Sequence, residues 1–315
     1  MPRHQPLVGG PAFCGVRTFL HLPQAGELSE ADAAIVGLPL DSGTFYRTGQ
    51  RFAPEAIRSA SALLGGYSTA HRLDVFELLS VIDGGDAAVL PGDIPASLRA
   101  IEEHLRPLFA AGVVPIGLGG DHSVTLAELR AAAAKHGPVG LLLFDSHPDT
   151  WDECLGQKYT HASPFRRAVE EGLIDPTRST MLGLRGAPDG SEDWDIARRL
   201  GFEVRTAAQL HEQGLGGVAA QALARAGAGP VFLSFDIDFL DPAFAPGTGT
   251  PAVGGFTTAQ MLYLLRGLAG LNLVAADVVE VIPAYDVAQI TAMAAAQVAF
   301  EILALLAVRR EAAVA

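Results

Sequence analysis

The stretch Gly140-Leu141-Leu142-Leu143-Phe144-Asp145-Ser146-His147-Pro148-Asp149 decides how this chain is read. Its first half is apolar at every position. That pattern marks a strand covered on both faces, as in parallel sheets, where helices lie above and below. Its second half places a polar side chain at every other position. Alternate residues of an extended segment face the same way, so Asp145, His147 and Asp149 converge on one side.

The same grammar recurs outward in both directions. Short β-branched or Leu-rich runs, most of them apolar throughout, fall at 34–38, 79–83, 113–118, 180–184, 203–206, 231–235 and 273–279. Helical patterns lie between them, at 54–64, 96–111, 123–135, 163–171, 192–200, 216–225 and 257–268. Pro54 suits a first helical turn and Thr257 an N-cap. Alternation of strand and helix predicts one α/β domain over residues 1–315 with a parallel sheet. Periodicity alone leaves an open sheet and a closed (β/α)₈ barrel both standing. No linker or repeat divides the chain, and the Gly/Pro-rich stretch 245–255 reads as a loop.

In parallel α/β folds, sites form at the carboxyl ends of strands. Run 113–118 ends in Gly119-Gly120-Asp121-His122-Ser123, run 231–235 in Asp236-Ile237-Asp238, and run 273–279 in Glu280. Together with Asp145, His147 and Asp149, four strand ends carry acids and histidines. Oxygen and imidazole donors suit manganese, iron, cobalt, nickel or zinc better than magnesium or calcium. Each group alone has a plainer reading: a solvated acidic loop, a pair of helix-capping acids, a hydrogen-bonded core histidine. Together, two histidines and four aspartates exceed what one metal with an open position needs. They suit two metals roughly 3.5–4 Å apart that share carboxylates and activate water.

The bulk numbers bound the partners. Among 315 residues, 35 are acidic and 22 basic, a formal charge of −13. That excludes a phosphate-backbone partner, which needs a basic face, and mildly favours cationic ligands. Cys14 and Cys154 form no disulfide framework or zinc-ribbon spacing. Residues 1–11 lack the apolar core of a signal peptide. Segment 290–308 is apolar but carries Gln297 and Glu301, which predicts a buried alanine-rich helix and not a membrane span. A soluble, cytoplasmic protein with no membrane partner is expected.

The motifs, in this order, resemble the three signatures of the ureohydrolases, the family of arginase and agmatinase: Gly119–Ser123, Asp145–Asp149, and Ser234 through Pro242. The resemblance covers nearly the whole chain. It includes Ser42-Gly43-Thr44 through Ala56-Ile57-Arg58, and Asp277-Val278-Val279-Glu280-Val281. Ala243-Phe244-Ala245-Pro246-Gly247-Thr248-Gly249-Thr250-Pro251 looks like the agmatinase branch. The resemblance implies a three-layer α/β/α fold with an eight-stranded parallel sheet. It also implies hydrolysis of a guanidino compound to urea and an amine by two divalent ions, manganese first and nickel next. One ion would take His122, Asp145, Asp149 and Asp236. The other would take His147, Asp145, Asp236 and Asp238. Asp149 would orient the nucleophile, Glu280 would pair with the guanidinium, and His161 would relay a proton to the leaving amine. A homo-oligomer, trimer or hexamer, is also implied, and segment 290–308 could support its packing. A hetero-oligomer with a related chain stays open.

Three positions depart from the pattern: Ser146 where alanine is usual, Ala162-Ser163 after His161, and Thr48 where many relatives have proline. Trp151, Asp152 and Glu153 follow the second motif, where relatives read the substrate tail. Two acids there favour a cationic tail, so agmatine is expected first, ahead of guanidinobutyrate, guanidinopropionate and guanidine. Two other classes compete. A single-metal amide hydrolase such as a deacetylase fits poorly with six ligands. A non-catalytic subunit fits poorly with intact ligands plus His161 and Glu280.

Overall fold

A computed structural model describes residues 6, 11–24, 28–187 and 193–314. Most of the N-terminal stretch 1–11 and residue 192 of an expected helix lie outside the described residues. Eight strands form where the apolar runs stand: β1 (Ala33–Gly37), β2 (Val81–Asp86), β3 (Val114–Leu118), β4 (Gly140–Phe144), β5 (Thr180–Leu184), β6 (Glu203–Thr206), β7 (Val231–Asp236) and β8 (Leu273–Val279). They make one sheet in the order β2-β1-β3-β8-β7-β4-β5-β6, and every pairing is parallel. β2 and β6 end the sheet and do not pair with each other, so the sheet is open and the barrel alternative is excluded.

The helices are α1 (Ala53–Ser61), α2 (Val75–Leu78), α3 (Ile94–Ala111), α4 (Val124–His136), α5 (Pro164–Glu170), α6 (Asp193–Arg199), α7 (Ala207–Gln213), α8 (Val218–Ala226), α9 (Thr258–Arg266) and α10 (Ile290–Val314). Alternating strand residues feed two apolar cores. Leu142 and Phe144 of β4 join α1, α2 and α7 to α10 on one face, while Leu141 and Leu143 join α3 to α6 on the other. The molecule is therefore the expected three-layer α/β/α sandwich.

Strands 140–144, 180–184, 203–206 and 273–279 stand where the sequence places them, and the others shift by one to three residues. β2 begins later and runs on through Gly84 and Gly85, because parallel pairing with β1 (Ile35 to Asp83, Gly37 to Asp86) decides its register, not its own apolarity. Two short helices and a hairpin (Tyr67–Ser68 with Leu73–Asp74) escaped the pattern. Both helices carry local start signals. Asp74 accepts from the Phe76 amide at 2.9 Å ahead of α2. Thr206 and Gln209 form a capping box that starts α7 directly at the end of β6.

α10 has the length and hydropathy of a membrane span, yet 83% of its most apolar window is buried inside the fold. Gln297 and Glu301 within it have partners: Glu301 accepts from Arg266 Nη2 at 2.7 Å and from Gln297 Nε2 at 3.0 Å. The helix is spent on the chain's own core, so the expected use of 290–308 as an intersubunit face fails for want of exposed surface. Both cysteines are free thiols.

Strand order positions the site. β3, β8, β7 and β4 are consecutive in the sheet, and their registers align Val278 with Leu118, Val279 with Asp236, and Phe144 with Phe235. The residues just beyond these partners are His122, Glu280, Asp236 with Asp238, and Asp145 to Asp149. Groups separated by as many as 158 positions are thus brought to one edge.

Candidate metal centre

Each strand hands its polar residue over through a short turn. After β3, Gly119 and Gly120 adopt positive φ, and a Cβ at 120 would come within 2.3 Å of the Leu38 carbonyl oxygen. Only glycine lets the chain turn there and bury His122. Asp149 and Glu280 themselves lie in the left-handed region, at φ 48 and 66. Non-glycine residues enter that region at a cost and are held there by their surroundings.

Two clusters result. His122 Nδ1 lies 3.2 Å from Asp145 Oδ2, 2.9 Å from Asp149 Oδ2 and 3.3 Å from Asp236 Oδ2. His147 Nδ1 lies 3.0 Å from Asp238 Oδ2 and 3.6 Å from Asp145 Oδ1. Asp145 belongs to both clusters. All six residues named from the sequence are therefore brought together. Asp236 turns one oxygen to the first cluster, while its Oδ1 accepts from the Asp238 amide at 2.8 Å.

The donor set fits cations. His122 Nε2 donates to Ser234 Oγ at 2.9 Å, because that hydroxyl is itself committed as a donor to Asp277 Oδ1 at 2.7 Å. Thr125 Oγ1 holds the other Asp277 oxygen at 2.6 Å. The chain of bonds fixes the tautomer and leaves a lone pair on Nδ1. That lone pair faces carboxylates, and Nδ1, Asp145 Oδ2 and Asp238 Oδ2 are buried without a hydrogen-bond partner. Anions and a lone pair pointed at one another are stable only around positive charge. Without it the cluster must take up protons. Burial, and then Asp149 and Asp238, push the Asp145 carboxyl up to about 6, and burial with Asp238 and Asp145 raises Asp236 well above the ordinary carboxylate value. Burial lowers the two imidazoles, but the carboxylates overcome it and raise both well above the ordinary histidine value. Metal uptake should therefore release protons.

Ser146 uses its departure from the family pattern. Its hydroxyl donates to Asp238 Oδ1 at 2.8 Å and its amide to the same oxygen at 3.0 Å, leaving Oδ2 for the cluster. Deeper in, Glu128 of α4 sits beside Asp277, and burial, then that neighbour, raises its carboxyl well above the usual range.

His161 and Glu280 form a unit beside the clusters. Glu280 Oε1 accepts from His161 Nδ1 and from the His122 amide, both at 2.9 Å, and Oε2 accepts from Gln50 Nε2 at 2.8 Å. His161 Nε2 is buried with no partner. Burial alone would lower this imidazole, but the Glu280 carboxylate, with help from Asp149, pushes it up to about 9. A cavity of about 630 Å³ opens onto His147, Asp149, Asp236 and His161. Glu280 lies just behind its wall. Gly249 lines the cavity in front of it, where a Cβ would come within 2.9 Å of Glu280 Oε2, so the missing side chain keeps one face of the carboxylate open.

Trp151 lines the cavity, but Asp152 and Glu153 do not. Asp152 turns outward, 2.5 Å from Arg167 Nη2. The two acids behind the expected cationic tail are thus not in the site. Sequence reading also passed over Gln50, which orients Glu280, and over Ser234 and Asp277, which orient His122. Their signal was position: the 42–58 motif packs against Glu280, and Ser234 and Asp277 sit on adjacent central strands one turn below the ligands.

An open eight-stranded parallel sheet with paired carboxylate–imidazole clusters at its carboxyl edge is the architecture of a metal-dependent α/β/α hydrolase. The Arginase family model matches residues 31–305. Guanidinopropionase of Pseudomonas aeruginosa is 45% identical over 94% of this chain and 93% of its own length. The mitochondrial agmatinase of Gallus gallus is 44% identical over 93% of this chain and 86% of its own. The solved structure of proclavaminate amidino hydrolase from Streptomyces clavuligerus superposes with a TM-score of 0.91 at 40% identity, covering 95% of this chain and 99% of that one. The chain belongs to the arginase family.

If the clusters hold cations, stability follows metal supply. A site filled at a hundred times its dissociation constant contributes about 2.7 kcal/mol. Two such sites raise the melting temperature of a chain this size by on the order of 10 °C. A chelated sample that melts with the loaded one would contradict the arrangement; differential scanning calorimetry decides.

Proposed function

We propose that this protein hydrolyses a guanidino compound at its central carbon, giving urea and an amine. The two divalent ions, manganese first and nickel next, would be held by His122, Asp145, Asp149, Asp236, Asp238 and His147. The observation that carries the reading is the pair of clusters sharing Asp145, set on one cavity with a His161–Glu280 unit whose imidazole Nε2 is buried without a partner. Bound there, such ions supply acidified water near neutral pH and stabilise developing negative charge.

The chain's own residues do the rest. Glu280 binds the guanidinium through the face that Gly249 leaves open, a charge-assisted pairing that sets the carbon against the nucleophile. Asp149 orients the attacking water by accepting from it. As the C–N bond breaks, His161 Nε2 gives its proton to the departing amine nitrogen, because an amine anion is a very poor leaving group. Glu280 stabilises the imidazolium beforehand, which keeps that proton in place at neutral pH. The cavity walls, Phe45, Trp151, Pro251 and Val253, limit water around the reacting carbon.

Relatives named for guanidinopropionate and for agmatine support a guanidino substrate and differ in the tail. A homo-oligomer remains part of the reading. Exposed Phe45, Tyr46, Phe52, Tyr285 and Val287 offer an apolar surface for it in place of the buried C-terminal helix. The test is a urea-release screen of metal-stripped protein given manganese or nickel, over agmatine, 4-guanidinobutyrate, 3-guanidinopropionate and guanidine. Metal-dependent urea from at least one compound is expected. No urea from any, or release of acetate from an acetylated amine instead, would overturn the reading.

A further inference from the structure

Two guanidinium groups line the cavity, and they are not equivalent. Arg185 is committed to the protein. Its Nη2 donates to the carbonyls of Asp238 at 2.5 Å, Ala252 at 3.0 Å and Leu240 at 3.1 Å, so it ties loops together behind the site. Arg47 is not. Among the described residues its guanidinium makes one hydrogen bond, a long one of 3.4 Å from Nη1 to the Thr248 carbonyl, and it lies over the Tyr285 ring at 4.7 Å. Among the described residues no carboxylate pairs with it.

Among the described residues the acids that face the same cavity are Asp149 and Asp236, and both belong to the candidate metal clusters. Asp152 is paired with Arg167 outside it. Away from the clusters, the described residues of the cavity therefore offer a cation and no anion. A substrate whose tail is positive would meet repulsion there, and one whose tail is a carboxylate would meet a half-buried guanidinium suited to bidentate pairing.

Geometry links this cation to the reacting end. The Arg47 carbonyl accepts from Gln50 Nε2 at 3.3 Å, and the same nitrogen donates to Glu280 Oε2 at 2.8 Å. Arg47 thus stands at a fixed offset from the carboxylate assigned to the guanidinium. Between them the wall is apolar: Phe45 packs edge-on against His161 with ring centres 4.5 Å apart and lies parallel to Trp151 at 6.4 Å. Such a wall suits methylene groups.

We infer that the substrate is a short ω-guanidino carboxylic acid and that Arg47 binds its carboxylate. The inference rests on the hydrolase reading above and replaces the cationic tail expected from Asp152 and Glu153.

The test compares 4-guanidinobutyrate with agmatine, which share a four-carbon chain and differ in tail charge. Wild-type kcat/KM should favour the acid. Arg47→Ala should lower the acid-to-agmatine ratio by about tenfold to a hundredfold, the range for losing a charge-assisted hydrogen bond. The change should appear in KM for the acid more than in kcat, since tail binding is common to ground and transition states. Arg47→Lys should keep an intermediate ratio. A purely structural role, through Tyr285 or Thr248, would move both substrates together and leave the ratio alone. A second arm needs no turnover: calorimetric titration of metal-loaded wild type and Arg47→Ala with 4-aminobutyrate and with 1,4-diaminobutane. Wild type should bind the amino acid more tightly, and the variant should lose that preference. Wild-type preference for agmatine, or for the diamine, or ratios unmoved by Arg47→Ala, would overturn the proposal. Absence of urea from every compound would count against the hydrolase reading alone, and the titration would still decide Arg47.

Discussion

Asparagine at Asp145 is expected to empty both metal positions together and to abolish urea release. Asp145 is the residue common to the two clusters, one oxygen toward His122 and the other toward His147. It is fully buried, so no solvent substitutes for the lost charge. Water no longer acidified by bound cations reverts toward its bulk pKa, so turnover should fall by on the order of 10⁴-fold or more. Elemental analysis after gel filtration reads the metal content, and a colorimetric urea assay reads the activity. His122→Ala is the contrast: its nitrogen serves one cluster, so it should weaken mainly one position. Retention of a full metal complement by Asp145→Asn would mean that the carboxylates do not bridge.

His161→Asn should leave the metal content intact and lower kcat by about 10²–10⁴-fold, the range for general acid–base help. Its pH dependence carries a second signature. Pairing with Glu280 raises the imidazole to about 9. The protonated form that donates to the amine is therefore present below that value and is lost as pH rises through it. Cations in the adjacent clusters disfavour a further positive charge, so in the loaded enzyme the decline falls at or below about 9. Activity should rise from acid pH as the clusters shed the protons that compete with metal, then decline on the alkaline side. In His161→Asn the alkaline decline should vanish along with the rate. Wild-type turnover in that variant would show that another group protonates the amine.

The sequence made the centre of the sheet legible for a physical reason. β4, β7 and β8 are buried on both faces and answer to no solvent, so they read as near-continuous apolar runs, broken only by Ser234 and Asp277, which bond to each other and orient His122. The edge was less legible. β2 takes its register from β1 and carries two glycines, so its own composition misplaces it by two or three residues. The candidate ligands were legible because six polar groups at strand ends have few structural uses. The substrate tail was not. Asp152 and Glu153 follow directly on the second motif, but that loop turns them toward Arg167 and solvent. Arg47 comes instead from a segment about a hundred residues earlier, carried to the cavity by Gln50 and Glu280. Neighbours in sequence share a direction only while the chain is extended, and the left-handed turn at Asp149 ends that.

The central claim is a pair of metal ions in one carboxylate-bridged site. Its most direct measurement is the number of manganese ions per chain in fully active protein, titrated against urea release from metal-stripped material. Activity should approach its maximum only as the ratio approaches two. Full activity at one ion per chain would contradict the account.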